Sequence, residues 1–134
     1  MIRLSVNVNK VATLRNSRGG TIPSVVDATL VCVNAGAPGI TVHPRADARH
    51  ITFADVREIA HELRAQNLQR PAGSSIELNI EGDPRPDLIA LALEVRPDQF
   101  TLVPVRVGEI TSQAGWPPSL ARLSIHWASC RSAV

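Results

Sequence analysis

Aromatic side chains are scarce in this sequence: two Trp, two Phe and no Tyr among 134 residues. Packing therefore falls to Val, Leu, Ile and Ala. The two cysteines, Cys32 and Cys130, are too few and too far apart for a disulfide framework or a CxxC metal motif. Cys32 reads as a small packing residue rather than a reactive thiol. No apolar run is long enough to span a bilayer, and Arg3 and Asn7 interrupt any signal-like segment at the N-terminus, so cytoplasm is the default expectation. An excess of one charge sign is also missing. The formal net charge is +2, and two of the 14 basic residues, Arg122 and Arg131, lie in the last eighteen residues, which hold no acid. Residues 1–116 thus balance their basic residues against all 12 acidic ones. A nucleic-acid or membrane footprint is not expected from that balance. No GxGxxG or Walker-type loop occurs, since Arg18-Gly19-Gly20 is too short to be one, and no Ser or Cys nucleophile stands with a base.

What is present is the composition of a soluble globular chain, 44% hydrophobic and 19% charged, of a length that normally makes one domain. Residues 2–8 (IRLSVNV) alternate apolar and polar positions and read as a first strand, ending in the polar set Asn7, Asn9 and Lys10. Residues 11–18 form a short helical or turn-like piece closed by Gly19-Gly20. Pro23 and Ser24 open a helix over 25–35, and Gly36 stops it. A second strand spans 39–43. Thr52 is placed to N-cap the next helix, with Asp55 at the third position as in a capping box, and that helix runs to about residue 66. Residues 76–81 (IELNIE) give a third strand, 86–95 a further helix, and 99–104 a fourth strand. The order β-α-β-α-β-α-β implies an α/β fold with about four parallel strands and crossover helices.

The stretch over residues 39–51, GITVHPRADARHI, organises the functional reading. An apolar run stops at His43, Pro44 cannot extend a strand, and a loop carrying Arg45, Asp47, Arg49 and His50 follows. Polar clusters just past strand C-termini are where parallel α/β sheets hold ligands. Two arginines and two histidines suit an anion, because guanidinium forks match phosphate and carboxylate oxygens. The alternative is an ordinary solvated loop. If the strands are parallel neighbours, their ends bring together Asn7, Asn9 and Lys10, then His43 and Arg45, then Glu81, with the fourth strand leading toward Thr111. A desolvated carboxylate beside imidazoles is a candidate acid/base set, and the cations would hold phosphate or an enolate-like oxygen. A two-His, one-carboxylate metal site from His43, His50 and Glu81 is the rival, but no HxH or CxxC spacing supports it, and no metal is assigned.

Four blocks carry a resemblance to a known family: SVNVNKVATLRNSRGG from Ser5, AGAPGITVHPRADARHIT from Ala35, LNIEGDP from Leu78 and TLVPVRVGEITSQAG from Thr101. Together, over residues 2–116, they resemble pyridoxine 5′-phosphate synthase. The resemblance implies the N-terminal half of a (β/α)8 TIM barrel over 1–116, followed by an unassigned tail over 117–134. It implies condensation of 1-deoxy-D-xylulose 5-phosphate with 3-amino-2-oxopropyl phosphate, closing the pyridine ring of vitamin B6, with no cofactor and no metal. It also implies a homo-oligomer, usually of eight chains. By matched positions, His43 and Glu81 look like acid/base residues, and Asn7 and Arg18 like contacts to the aminoketone phosphate. Arg45, His50 and Thr111 look like contacts to the deoxyxylulose phosphate, with Asn9 and Lys10 in the same pocket.

The sequence departs from the family in three ways. Asn9-Lys10 stands where many members read Asp-His, and Val105 stands where a glutamate follows the fourth-strand Val-Pro. The family's chain is about twice as long, so strands five to eight, a third catalytic histidine and later glycine-rich phosphate loops are missing. The tail looks like a truncated or shifted reading frame, or the chain like a fragment. Half a barrel leaves two unpaired sheet edges, so a poorly stable or dimerising chain with little turnover of its own is expected. The rivals are another barrel-type phosphosugar aldolase or isomerase, and a non-catalytic half-barrel that binds partner chains.

Overall fold

The computed structural model describes residues 3–104 and Gly115. The chain divides into two compact units, Met1–Leu102 and Val103–Val134, and the fold below is that of the first. Thr111, Val105 and the tail over 117–134 lie outside the described residues.

Eight elements follow one another along the described residues of the unit: β1 (Ser5–Asn7), α1 (Asn9–Ser17), α2 (Val25–Asn34), β2 (Gly39–Val42), α3 (Phe53–Leu68), β3 (Glu77–Gly82), α4 (Pro86–Val95) and β4 (Gln99–Leu102). The strands form one sheet in the order β1-β2-β3-β4, and every neighbouring pair is parallel. This is the α/β architecture with four parallel strands anticipated above. The helices cover one face only. Val8, Ile40, Val42, Leu78 and Ile80 join Ala12, Val25, Val33, Val56, Ile59, Leu63, Leu88 and Val95 in one apolar core, with Val6 and Phe100 packed against it. A sheet that keeps its strands in chain order with helices on a single face is wound in one direction. That is the arrangement of a barrel segment; a doubly wound sheet would reverse its order and carry helices on both faces.

The opposite face is polar, and its hydrogen bonds record the tilt of the strands. Ser5 Oγ bonds Thr41 Oγ1 at 2.7 Å, Asn79 Nδ2 donates to Thr41 Oγ1 at 3.4 Å, and Thr101 Oγ1 donates to Asn79 Oδ1 at 2.9 Å. Backbone pairing, by contrast, sets Ser5 beside Gly39, Thr41 beside Asn79, and Asn79 beside Gln99. The side-chain row therefore climbs two residues from β1 to β2 and two more from β3 to β4. Such a stagger belongs to strands inclined to a barrel axis. A partial (β/α)8 barrel fits both observations.

Element ends follow from local chemistry. Asn7 Oδ1 accepts from Asn9 N–H at 2.9 Å, so β1 stops and α1 begins with almost no loop between them. Asn9 and Lys10, read from sequence as the polar end of the first strand, are instead the first residues of α1. Ser24 caps α2 by accepting from Asp27 N–H. Thr52 and Asp55 form the expected capping box on α3, and that helix continues to Leu68, beyond the expected end near residue 66. Asn67 explains the extension, because its carboxamide both donates to Ile76 O and accepts from Ile76 N–H at the entry to β3.

Asp55 does more than cap. Arg15 donates to both its oxygens, at 2.5 and 2.8 Å, tying α1 to the start of α3 through a pair that is largely out of water. Burial works to raise the Asp55 pKa, but the bonds from Arg15 and Thr52 prevail and hold it below the usual carboxylate range. A depressed carboxylate stabilises the fold above its unfolded value, and the contribution is lost as pH falls through the native value. Asp55→Asn should therefore destabilise the chain by about 3 kcal/mol in urea denaturation at pH 7. The difference from the unmodified chain should shrink in acid. Glu94→Gln, which breaks the exposed Arg57–Glu94 pair, should leave the midpoint nearly unchanged. Equal effects of the two substitutions would contradict this assignment.

Candidate functional site

Parallel pairing decides which residues reach the carboxyl rim of the sheet. Val42 pairs with Ile80 and Glu81 with Thr101, so His43 and Glu81 are next in line on β2 and β3. Alternation along β3 leaves Glu77, Asn79 and Glu81 half-buried, while Leu78, Ile80 and Gly82 are buried toward the helices. Glu81 thus stands on the polar face. Burial alone pushes its pKa above the usual carboxylate range. At a given pH it holds a proton more readily than an exposed glutamate does.

His43 follows the last residue of β2 and is only 8% exposed. Its ring lies 5.9 Å from that of His50, centroid to centroid. Burial first, then the neighbouring His50, Arg45 and Arg85, push its pKa down to about 4, with Asp83 opposing them. His50 is lowered as well, by burial and then by Arg45, with Arg49 and Lys10 adding to it and Asp47 opposing. Both imidazoles are accordingly neutral at pH 7. His43 Nε2 and His50 Nδ1 are buried and meet no hydrogen-bond partner among the described residues. Buried polar atoms of that kind are costly unless something completes them. Two neutral rings with open nitrogens, beside guanidinium and ammonium groups, give this rim of the sheet the chemistry suited to an anion with a proton to give.

Several contacts hold the intervening loop. Asn16, on α1, donates through Nδ2 to His50 O at 2.8 Å and to Ala48 O at 3.4 Å. Arg85 donates to Pro44 O at 2.6 Å and to Asp83 Oδ1 at 2.6 Å, and pairs with Asp87. Its guanidinium also lies 5.8 Å from the Phe53 ring centroid. Asp47 braces the loop from inside, with Arg49 Nε at 2.8 Å and Arg45 Nη2 at 3.4 Å. The Arg45 side chain is 8% exposed.

The residues expected from sequence are distributed unevenly. His43, Arg45 and His50 form one cluster. Lys10 is exposed at the start of α1, close enough for His50 to feel its charge. Asn9 reaches His43 directly, accepting from its backbone N–H at 2.9 Å, and Asn7 in turn holds Asn9. Glu81 occupies the adjoining strand without a hydrogen bond to either histidine. Arg18 is exposed at the C-terminal end of α1, about 13 Å along the helix from Asn9. Thr111 lies outside the described residues. Among those residues, no group of three or more His, Cys, Asp and Glu side chains is arranged to hold a metal ion, so His43, His50 and Glu81 do not form the two-His, one-carboxylate set. No helix among them is long and apolar enough to cross a membrane.

Asn16, Asp83 and Arg85 were not singled out from sequence. Asp83 and Arg85 sit two apart after β3, a spacing that hints at a local pair. Nothing local marks Asn16, whose partners are 32 and 34 residues away.

The low His43 value has a measurable consequence. Because the unfolded chain carries an ordinary imidazole near 6.5, protonation favours unfolding, and stability declines as pH falls from 6.5 toward 4. An NMR titration of the His43 ring should show a midpoint near 4, and His43→Gln should flatten part of the acid decline. A midpoint at or above 6.5 would contradict the buried, cation-flanked setting.

Comparison with known proteins agrees with this geometry. The sequence model of the family described as "Pyridoxal phosphate biosynthesis protein PdxJ" matches residues 4–128. The chain is 53% identical over 118 residues to a pyridoxine 5′-phosphate synthase of Leptospira biflexa, an overlap of 87% of this chain and 45% of that protein. It is 52% identical over 116 residues to the enzyme of Bacteroides fragilis and 47% identical over 116 residues to that of Cytophaga hutchinsonii, each overlap covering 87% of this chain and 44% of the relative. The chain spans a little under half the length of these curated relatives. With a match over most of its length and the His43–His50 loop at the rim of a parallel sheet, the chain belongs to the PdxJ family of pyridoxal phosphate biosynthesis proteins.

Proposed function

We propose that this chain supplies the first half of a pyridoxine 5′-phosphate synthase site, in which two phosphorylated substrates condense to form the pyridine ring. The observation that carries the reading is a pair of neutral imidazoles, buried His43 and half-buried His50, whose open ring nitrogens lie out of water beside Arg45. In this reading Arg45, His50, Lys10 and Thr111 hold 1-deoxy-D-xylulose 5-phosphate, and Asn7 and Arg18 hold the aminoketone phosphate. His43 accepts protons during the imine and enol steps. Glu81, with its raised pKa, exchanges protons on the neighbouring strand. The setting is an enzyme of the cytoplasm that works as a homo-oligomer, without metal or organic cofactor.

The curated relatives carry about as much chain again. We therefore assign to these 134 residues ligand recognition and part of the acid/base set, with little turnover by themselves. The scaffold alternative, a half-barrel that only binds partner chains, draws support from β1 and β4, each of which has a single strand neighbour among the described residues.

Calorimetry with 1-deoxy-D-xylulose 5-phosphate at pH 7.5 separates the two. Binding by the unmodified chain should weaken roughly tenfold to a hundredfold in Arg45→Ala, which loses a charge-assisted contact. It should also weaken in His50→Ala, and remain unchanged in His61→Ala, a substitution at an exposed position of α3. No binding, or binding indifferent to Arg45, would favour the scaffold.

A further inference from the structure

The departure at positions 9 and 10 has a structural answer at position 9. The turn from β1 into α1 is so short that backbone runs out before the β1–β2 ladder does. Val8 N–H still donates to Thr41 O at 3.3 Å, but Val8 O is already taken by Val11 N–H at 3.1 Å, in the first turn of α1. The next donor on β2 is His43 N–H, in a residue that is 8% exposed. A buried amide without an acceptor is costly. Asn7 pairs with Thr41, so position 9 comes opposite His43, and Asn9 Oδ1 accepts the bond at 2.9 Å. The carboxamide orientation is dictated, since an N–H cannot bond an NH2 group. Asn7 Oδ1, accepting from Asn9 N–H, fixes the backbone from which that side chain projects.

We propose that Asn9 is a positioning residue: its side-chain oxygen completes the β1–β2 ladder at His43 and thereby sets where the imidazole stands at the sheet rim. The role rests on the reading of His43 as a proton-moving group. It explains how an amide can replace the aspartate that many members of the family carry here. Both side chains offer the same acceptor oxygen, and only the charge differs. The groups facing the His43 ring are the neutral His50 imidazole, the cations Arg45 and Arg85 and the anion Asp83, with Lys10 near His50. An uncharged Asn9 leaves that balance positive. An aspartate at the same place would add a second anion beside the ring.

The test uses the whole 134-residue chain, uniformly labelled with 15N and 13C. A scalar coupling across the hydrogen bond, from His43 amide nitrogen to the Asn9 carboxamide carbon, should be resolved without any substitution. Its absence, while the Val8–Thr41 ladder coupling is seen, would overturn the proposal. In Asn9→Ala, hydrogen exchange at His43 N–H should accelerate at least about tenfold, and in Asn9→Asp it should stay near that of the unmodified chain. Asn9→Asp should also raise the His43 ring midpoint by about one unit. Unchanged exchange in Asn9→Ala, or an unmoved midpoint in Asn9→Asp, would overturn it. The coupling and the exchange rates concern the amide bond alone. If the bond is present but His43→Ala leaves the rate of product formation untouched once the chain is complemented by the rest of a relative's synthase, the functional reading of His43 fails and the tether stands.

Discussion

The parallel register of β1, β2 and β3 is the constraint on which everything else depends. Side chains of aligned residues in parallel strands share a face, so one register choice sorts Ile40, Val42, Leu78 and Ile80 toward the helices and Thr41, Asn79 and Glu81 toward the polar side. A slip of one residue on β3 would send Glu81 into the apolar core and expose Ile80. The burial of those aliphatic chains therefore protects the chemistry on the other face. Hydrophobic packing and site assembly are consequences of the same pairing.

A second layer of organisation holds the loop over residues 44–52. That segment has little apolar content of its own, and its shape comes from polar contacts: Asn9 at His43, Asn16 at Ala48 and His50, Arg85 at Pro44, and the Thr52–Asp55 box at its end. Arg85 and Asp55 have their charges satisfied by these structural contacts. The histidines do not. Burial strips them of protons while cations gather around them, a setting whose chemistry suits an anionic partner with a proton to give.

Much of this was legible in the residues. Period-two alternation marked the first and third strands, Ser24 and Thr52 marked helix starts, and Pro44 marked the end of β2. What escaped was contact at long range. The sequence places Asn9 and Lys10 in a polar strand end, because nothing local reveals that Asn7 folds back on Asn9 and starts α1 at once. Asn16 and the Arg15–Asp55 pair are invisible for the same reason: their partners are more than thirty residues away. Spacing predicted which groups share a rim. It could not show that His43 and His50 sit ring to ring while Glu81 remains on its own strand, since loop conformation decides that and periodicity does not reach into loops.

Reconstitution offers the most direct test of the central claim, that these strand ends hold half of a working condensation site. The chain would be co-refolded with the part of the Leptospira biflexa synthase that it does not match, and pyridoxine 5′-phosphate would be assayed from the two phosphorylated substrates. The account predicts a complex that forms product, with the rate falling at least about a hundredfold in His43→Ala and in Glu81→Gln. A stable complex that makes no product, or one indifferent to both substitutions, would contradict it.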